Sequence, residues 1–157
     1  MTWGRPNMSK QIRKVEAKDR EGWEQCYQAY AEFYHIEQTA DMRARVFDWL
    51  LNSDDMVGLV AVDAGTDQVV GLAHLRYFKR PLVAKMGLFL DDLFIAPELR
   101  GSGLSHQMFN EIDRIAKASD CDLIRWITAD DNYTARTLYD KLATRTMWVT
   151  YDRKFDD

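Results

Sequence analysis

A short glycine-rich turn, Arg100-Gly-Ser-Gly-Leu-Ser-His106, is the segment of the sequence best suited to binding a ligand. It lies between an apolar run that predicts a strand and a periodic run that predicts a helix. Gly101 and Gly103 allow backbone amides to point outward, and the first N–H groups of the following helix have no partner inside that helix. Together with the helix dipole, these groups predict an anion site, most commonly for phosphate.

Three phosphate-binding motifs use such glycines, and two of them fit poorly. A P-loop needs Lys and then Ser or Thr after its second glycine, whereas Leu104 and Ser105 follow Gly103. A dinucleotide-binding fingerprint needs a third glycine where this sequence has His106. The third motif, Arg-x-x-Gly-x-Gly/Ala, fits from Arg100 to Ser105 except that Ser takes the last position. An ordinary tight turn into a helix stays open on this segment alone.

Two adjacent acids, Asp91 and Asp92, interrupt the apolar strand before this turn. Carboxylates in such a strand are costly unless they are solvated or paired. Strand alternation predicts that Asp91 shares a face with Leu93 and Ile95, while Asp92 faces the other way with Phe94. The alternatives to a functional role are a solvated strand edge or a structural ion pair with a nearby cation, Arg76 or Lys79.

A third group of candidates lies near the end of the chain. Asn132 and Tyr139 are seven residues apart with Ala135 between them, so a helix would place all three on one face. On the sequence alone, Tyr139 is better interpreted as a core tyrosine whose hydroxyl reaches the surface.

The periodicity that must position these residues predicts one α/β domain over 10–157, preceded by a flexible tail over 1–9. The element order is β-α-α-β-β-β-α-β-α-β, without internal repeats or a linker. We expect strands over 11–15, 56–62, 69–77, 86–95, 123–128 and 147–151, and helices over 18–34, 40–51, 104–118 and 132–142.

Composition excludes several classes of protein. Hydrophobic residues make up 46% of 157 residues, which rules out disorder, and a net charge of −4 disfavours nucleic acid as a partner while permitting cationic ones. No stretch is long enough to cross a membrane, and residues 1–10 do not form a signal peptide. Two cysteines are too few for a disulfide scaffold, which predicts reduced thiols in the cytoplasm. The three histidines are scattered, so we expect no metal site.

In several places at once the sequence resembles the GCN5-related N-acetyltransferases (GNAT). Residues 90–95, an acidic pair ahead of an apolar trio, are similar to that family's central strand, and Ala-Pro-Glu-Leu-Arg-Gly-Ser-Gly is similar to its pyrophosphate loop. Residues 126–132, followed by Ala135 and Leu138-Tyr139, are similar to its second cofactor motif. The resemblance covers most of 11–155, and the chain's ending resembles the histone and polyamine (diamine) acetyltransferase branch. It implies the acyl-CoA N-acyltransferase fold, with a mixed central sheet of about six to seven strands and about four helices.

The resemblance implies acetyl-CoA as co-substrate. In the family, backbone amides of the loop bind the pyrophosphate, with the motif's arginine as a charge partner. The central strand splays from its neighbour and pairs with pantetheine, and an N–H of this strand, here Leu93, polarises the thioester carbonyl. Asn132 would hydrogen-bond the pantetheine arm, and small Ala135 would permit its approach. The implied cofactor-binding residues are Leu93, Phe94, Ile95, Arg100, Gly101, Ser102, Gly103, Leu104, Ser105, His106, Asn132 and Ala135.

The resemblance and the residue chemistry together imply transfer of acetyl to a primary amine by direct attack in a ternary complex. Tyr139 would protonate the leaving thiolate, and Asp91 would accept the amine proton or bind the amine. Asp92, Tyr30 and Tyr34 would line the acceptor site, because aromatic walls with acids suit an ammonium group.

The acceptor expected from the resemblance is a small amine or polyamine, an amino acid, or a lysine-bearing protein. A non-catalytic acyl-CoA-binding sensor or scaffold is the alternative, although the presence of Asp91 and Tyr139 favours the enzyme. Relatives commonly dimerise through late strands, and Trp148 and Tyr151 would allow a homodimer here.

Overall fold

A computed structural model of the chain describes residues 10–156. They form two units, of which the first ends at Trp126 and the second begins at Ile127. In chain order the first unit contains β1 (Lys10–Lys14), α1 (Arg20–Phe33), α2 (Ala40–Asn52), β2 (Met56–Asp63), β3 (Val69–Arg80), β4 (Lys85–Ile95), α3 (Leu104–Ala118) and β5 (Cys121–Arg125). The second unit contains α4 (Tyr133–Leu142).

The strands of the first unit form one mixed sheet in the order β1-β2-β3-β4-β5. Successive strands pair antiparallel except for β4 and β5, which are parallel. The expected α/β class, mixed sheet and four helices are confirmed, whereas the sheet has five strands within residues 10–156 instead of six to seven. In this described part of the chain, no helix combines the length and the apolar character that crossing a membrane requires.

The expected final strand over 147–151 is wrong, because these residues belong to no strand. A strand requires a hydrogen-bonded partner, and none of β1–β5 pairs with this segment. Its side chains are exposed, Trp148 by 87% and Tyr151 by 90%. The strand expected over 123–128 is shifted to 121–125, and its residues are mostly half-buried because β5 lies at the edge of the sheet.

An aromatic core lies between α1, α2 and the sheet. Trp23 of α1 is fully buried and packs against the ring of Phe47 of α2, with 5.0 Å between centroids. Leu72 of β3 and Phe94 of β4 belong to the same cluster. Cys26 packs in it as expected, and burial raises the pKa of its thiol to about 11, so this thiol is inert at neutral pH.

The helix α3 buries the apolar stripe that its spacing predicts. The stripe comprises Leu104, Met108, Ile112, Ile115 and Ala116, and all five side chains are buried. Because α3 is anchored along its length, its first turn and the glycine turn before it are held at a fixed place beside the end of β4.

Candidate active site

The strand β4 separates from β5 halfway along its length. The parallel pairing ends at Phe89 and Arg125, whereas β4 continues to Ile95 and stays paired with β3. Within residues 10–156, no strand pairs with the edge of Leu90–Ile95 that faces away from β3. Backbone N–H and C=O groups on such an edge can pair with an extended ligand. The predicted backbone positions Leu93 and Ile95 lie on this edge.

The glycine turn has the backbone that its sequence predicts. Gly101 has φ +81° and Gly103 has φ +89°, in the left-handed region that favours glycine. Gly103 is the N-cap of α3, and no side chain caps the helix there. A Cβ at either glycine would meet no atom within 4 Å, so the turn is open on its outer side. The first N–H groups of α3, at 104–106, are therefore available to an anion.

Two polar side chains stabilise this turn, one by a local hydrogen bond and one by contacts with β4 and α1. The Nε of Arg100 donates to the carbonyl of Ile95 at 3.4 Å, and its guanidinium carbon lies 5.8 Å from the centroid of the Phe33 ring. Ser102 donates from its hydroxyl to the carbonyl of Leu99. The arginine thus connects the end of β4 with the last residue of α1.

A β-bulge decides where the two acids point. His74 pairs with Asp92 and Leu75 pairs with Leu90, so Asp91 is an extra residue on β4. The Asp91 carboxylate accepts from the Nε of Arg76, at 3.1 Å (Oδ1) and 2.9 Å (Oδ2).

Arg76 follows His74 by two residues and shares its face of β3. The expectation that Asp91 shares a face with Leu93 and Ile95 is therefore wrong, because the bulge directs its side chain toward the face of Asp92. The expected sharing of a face by Asp92 and Phe94 is confirmed, since these residues pair with His74 and Leu72.

Asp92 is the better held of the two carboxylates. Its Oδ2 accepts from the hydroxyl of Tyr27 at 2.9 Å and lies 2.8 Å from Nδ1 of His74. The hydroxyl of Tyr30 also interacts with this carboxylate. One fifth of the Asp92 side chain remains accessible (20%), so an incoming ligand can reach it.

The pKa values of the two acids move in opposite directions. Partial burial raises the pKa of Asp91, because the ion pair with Arg76 offsets it only in part and the charge of Asp92 adds to it. Burial would also raise the pKa of Asp92, but its electrostatic and hydrogen-bonding interactions with His74, and the hydrogen bonds from Tyr27 and Tyr30, outweigh it and bring the pKa below its ordinary value. Asp92 therefore keeps its charge, whereas Asp91 is the better proton acceptor.

Aromatic rings of α1 continue from Asp92 to the helix end. The ring of Tyr30 lies 6.0 Å from that of Tyr27, 4.9 Å from that of Tyr34 and 6.5 Å from that of Phe94, measured between centroids. Burial raises the pKa of both Tyr27 and Tyr30, so their hydroxyls stay protonated and donate. The predicted acceptor residues Tyr30, Tyr34 and Asp92 thus come together on one side of β4.

The second unit contains α4, which starts at Tyr133, one residue later than expected. Asn132 is its N-cap and accepts at Oδ1 from the N–H of Ala135 at 3.3 Å. The side-chain amide N–H groups of Asn132 are the ones that could donate to a ligand. Ala135, Leu138 and Tyr139 follow each other at three- and one-residue spacing on one face of α4, and all three are half-buried.

Sequence reasoning missed the partners of Asp92. His74, interpreted only as a scattered histidine, is buried against Asp92, and Trp23 contacts the other side of its ring. The available signal was that His74 takes an inward position in an otherwise apolar strand. Among residues 10–156, no group of three or more His, Cys, Asp and Glu side chains is arranged to hold a metal ion.

Comparison with known proteins places the chain in a family. A profile of the acetyltransferase (GNAT) family matches residues 23–143, more than half of the chain. The chain therefore belongs to the acetyltransferase (GNAT) family, which confirms the expected family and fold.

Named relatives of the chain are acetyltransferases. The D-amino-acid N-acetyltransferase HPA3 of Saccharomyces cerevisiae is 22% identical over 143 residues, which are 90% of this chain and 89% of that protein. The thialysine N-epsilon-acetyltransferase of Bos taurus is 29% identical over 77 residues, 49% of this chain and 45% of that protein, so the match spans less than half of either.

A solved structure shares the fold at low sequence identity. The aminoglycoside N-acetyltransferase AAC(6')-Iy in complex with CoA superposes with a TM-score of 0.80 at 17% identity, covering 92% of this chain and 94% of that one.

Proposed function

We propose that this protein transfers the acetyl group of acetyl-CoA to a primary amine by direct attack in a ternary complex. The observation that carries the proposal is the junction of β4 and α3, where an unpaired strand edge leads into an open, uncapped glycine turn. An extended arm that ends in a pyrophosphate could pair with the edge and place its phosphates on the turn.

Most of the contacts that position acetyl-CoA come from backbone groups. The N–H groups of Gly101, Gly103 and residues 104–106 bind the pyrophosphate, with Arg100 as the nearby cation, and the edge at Leu93–Ile95 pairs with pantetheine. The N–H of Leu93 donates to the thioester oxygen, where negative charge develops during attack. Asn132 and Ala135 of α4 add a donor and a close approach for the arm.

Asp92 and Asp91 have different roles toward the acceptor amine. Asp92, held ionised, binds the acceptor as an ammonium ion, and Asp91 takes its proton directly or through water. The neutral nitrogen attacks the carbonyl carbon, the C–N bond forms and the C–S bond breaks. The thiolate takes a proton from the hydroxyl of Tyr139, and the proton that the nitrogen loses as the amide forms returns to Tyr139 through water. The opposite pKa directions of Asp91 and Asp92 support this division.

The acceptor is a cationic amine of small size. The hydroxyl of Tyr30 contacts the Asp92 carboxylate, and the ring of Tyr34 lies 4.9 Å from that of Tyr30; aromatic rings near a carboxylate suit an ammonium group. The named relatives act on D-amino acids and on thialysine, so amino acids with a free or side-chain amine are the first acceptors to test. Polyamines and protein lysines carry the same group and form the comparison set.

Thiol release tests the proposal. The assay follows CoA formed from acetyl-CoA with D-amino acids, lysine analogues, diamines and a lysine peptide, and mass spectrometry identifies the acetylated product. We expect turnover with at least one small amine, and a marked loss in Asp92→Asn but not in Asp113→Asn, an exposed acid of α3. Tight binding of acetyl-CoA without turnover on any amine would contradict the enzyme and favour a non-catalytic acyl-CoA-binding module.

The proposed active form is a homodimer in which the segment after α4 is buried at the interface between the two chains. Met147, Trp148, Val149, Tyr151 and Phe155 are between 77% and 92% exposed. Three of them are aromatic, and at about 150–250 Å² each they could remove roughly 450–750 Å² per chain from water. Reciprocal burial in a two-fold dimer doubles this to about 900–1,500 Å², close to what stable interfaces bury.

Sedimentation equilibrium tests the dimer. We expect wild-type protein at twice the chain mass, and Trp148→Ser with Tyr151→Ser at the chain mass. A monomeric wild type at micromolar concentration would contradict it and leave the proposed chemistry untouched.

A further inference from the structure

A buried chain of hydrogen bonds reaches Asp92 from inside the core. Trp23 of α1 donates from Nε1 to Nε2 of His74 at 2.9 Å. On the opposite side of the imidazole ring, Nδ1 lies 2.8 Å from Oδ2 of Asp92. The His74 side chain is only 1% exposed, so these two residues are the partners of its ring nitrogens. Side chains from α1, β3 and β4 thus form one continuous path to the carboxylate.

The indole N–H fixes which nitrogen of His74 carries the proton. An indole can only donate, so Nε2 of His74 accepts and bears no proton. Nδ1 then carries the proton of the neutral ring and donates it to Asp92. A proton on Nε2 would set two donors against each other across 2.9 Å. The geometry therefore holds His74 in the neutral Nδ1–H form.

A neutral His74 leaves the charge of Asp92 uncompensated. An imidazolium at 2.8 Å would form an ion pair with Asp92 and weaken its attraction for a second cation. The neutral ring instead orients Oδ2 without adding charge, and the hydroxyl of Tyr27 does the same at the same oxygen. The negative charge of the carboxylate stays available to an ammonium group.

We propose that His74 and Trp23 are positioning residues that select a cationic acceptor by orienting Asp92 through neutral hydrogen bonds. The inference rests on the proposed function, in which Asp92 binds the acceptor ammonium. Neither residue touches the acceptor, since both are fully buried. The titratable and charged groups that surround Asp92 are Tyr27 and Tyr30 of α1, His74 and Arg76 of β3 and Asp91 of β4.

The titration of Asp92 is a readout that does not depend on activity. Carbon-13 NMR of the side-chain carboxyl follows it in wild type, His74→Leu and His74→Asn. Leucine fills the space without a donor, whereas asparagine keeps an N–H near the position of Nδ1. We expect the carboxyl of Asp92 to titrate at higher pH in His74→Leu, and close to wild type in His74→Asn.

Steady-state kinetics give the second readout. In His74→Leu, we expect the KM for the amine to rise at least tenfold while the KM for acetyl-CoA stays within twofold. Trp23→Phe keeps a ring but removes the indole N–H that fixes the tautomer of His74, so the KM for the amine should rise there as well. Phe47→Leu is the matched control, because Phe47 packs on Trp23 without a polar link to Asp92.

The outcomes separate the inference from the proposed function. An unchanged Asp92 titration in His74→Leu, or an equal rise of the amine KM in Phe47→Leu, would overturn the positioning role. A shifted titration in a protein whose wild type acetylates no amine would support the positioning of Asp92 and reject the proposed function. A shifted titration with a selective rise of the amine KM supports both.

Discussion

Gly103→Ala should weaken acetyl-CoA binding far more than it weakens the fold. At φ +89° an alanine is strained by about 1–2 kcal/mol relative to glycine. For a protein of this size that corresponds to a fall in Tm of roughly 2–8 °C. The new Cβ meets no protein atom within 4 Å, so no further loss from a steric clash is expected.

The same Cβ projects into the space that the pyrophosphate would occupy over the first N–H groups of α3. Losing one hydrogen bond to a charged phosphate costs about 1.5–3 kcal/mol, which is at least about tenfold in Kd. Calorimetric titration with acetyl-CoA, beside a thermal melt of the same sample, measures both quantities. Gly65→Ala is the control, because Gly65 lies in the β2–β3 turn and its Cβ would meet only an ordinary contact at 3.4 Å. Wild-type affinity in folded Gly103→Ala would refute the assignment of this turn to the pyrophosphate.

Three other changes test separate parts of the account. Tyr139→Phe should lower kcat roughly 10²-fold with acetyl-CoA affinity unchanged, and near-normal turnover would remove Tyr139 as the proton donor. Asp91→Asn should lower activity most at neutral pH and least at high pH, where the amine is already deprotonated; an equal loss at every pH would point to amine binding or structure. Asp19 is buried and accepts from Arg13 at 2.7 and 2.9 Å, so Asp19→Asn should lower the free energy of unfolding by about 3–5 kcal/mol in urea melts. Burial would raise the pKa of Asp19, but the hydrogen bonds from Arg13 and from the Glu16 N–H outweigh burial and lower the pKa. The ion pair of Asp19 therefore stabilises the wild-type protein above a pH of about 4, and this stabilisation is lost as the pH falls further. A wild-type free energy of unfolding that does not change in acid would contradict this prediction.

Helical periodicity made most of the fold predictable. The stripe of α3 from Leu104 to Ala116 repeats at three- and four-residue spacing, and the structure buries it as expected. The glycine turn was predictable for a related reason, since Gly101 and Gly103 adopt the left-handed backbone that their type permits.

Features set by pairing between distant segments were not predictable. The bulge at Asp91 arises from the register of β4 against β3, which local alternation does not encode. The hydrogen bonds of His74 reach Trp23, which lies 51 positions away in the sequence, and Asp92, which lies 18 positions away. A local sequence pattern therefore cannot indicate them. Residues 147–151 alternate like a strand, yet a strand also needs a partner edge.

Initial rates of CoA release at saturating acetyl-CoA, with a matched series of amines, test the central claim most directly. The series pairs each cationic primary amine with a neutral analogue in which a hydroxyl replaces the amino group. We expect acetylation of at least one cationic amine, no acetylation of its analogue, and a rise of at least tenfold in the amine KM for Asp92→Asn. Equal CoA release with and without any amine, in a protein that binds acetyl-CoA, would contradict it.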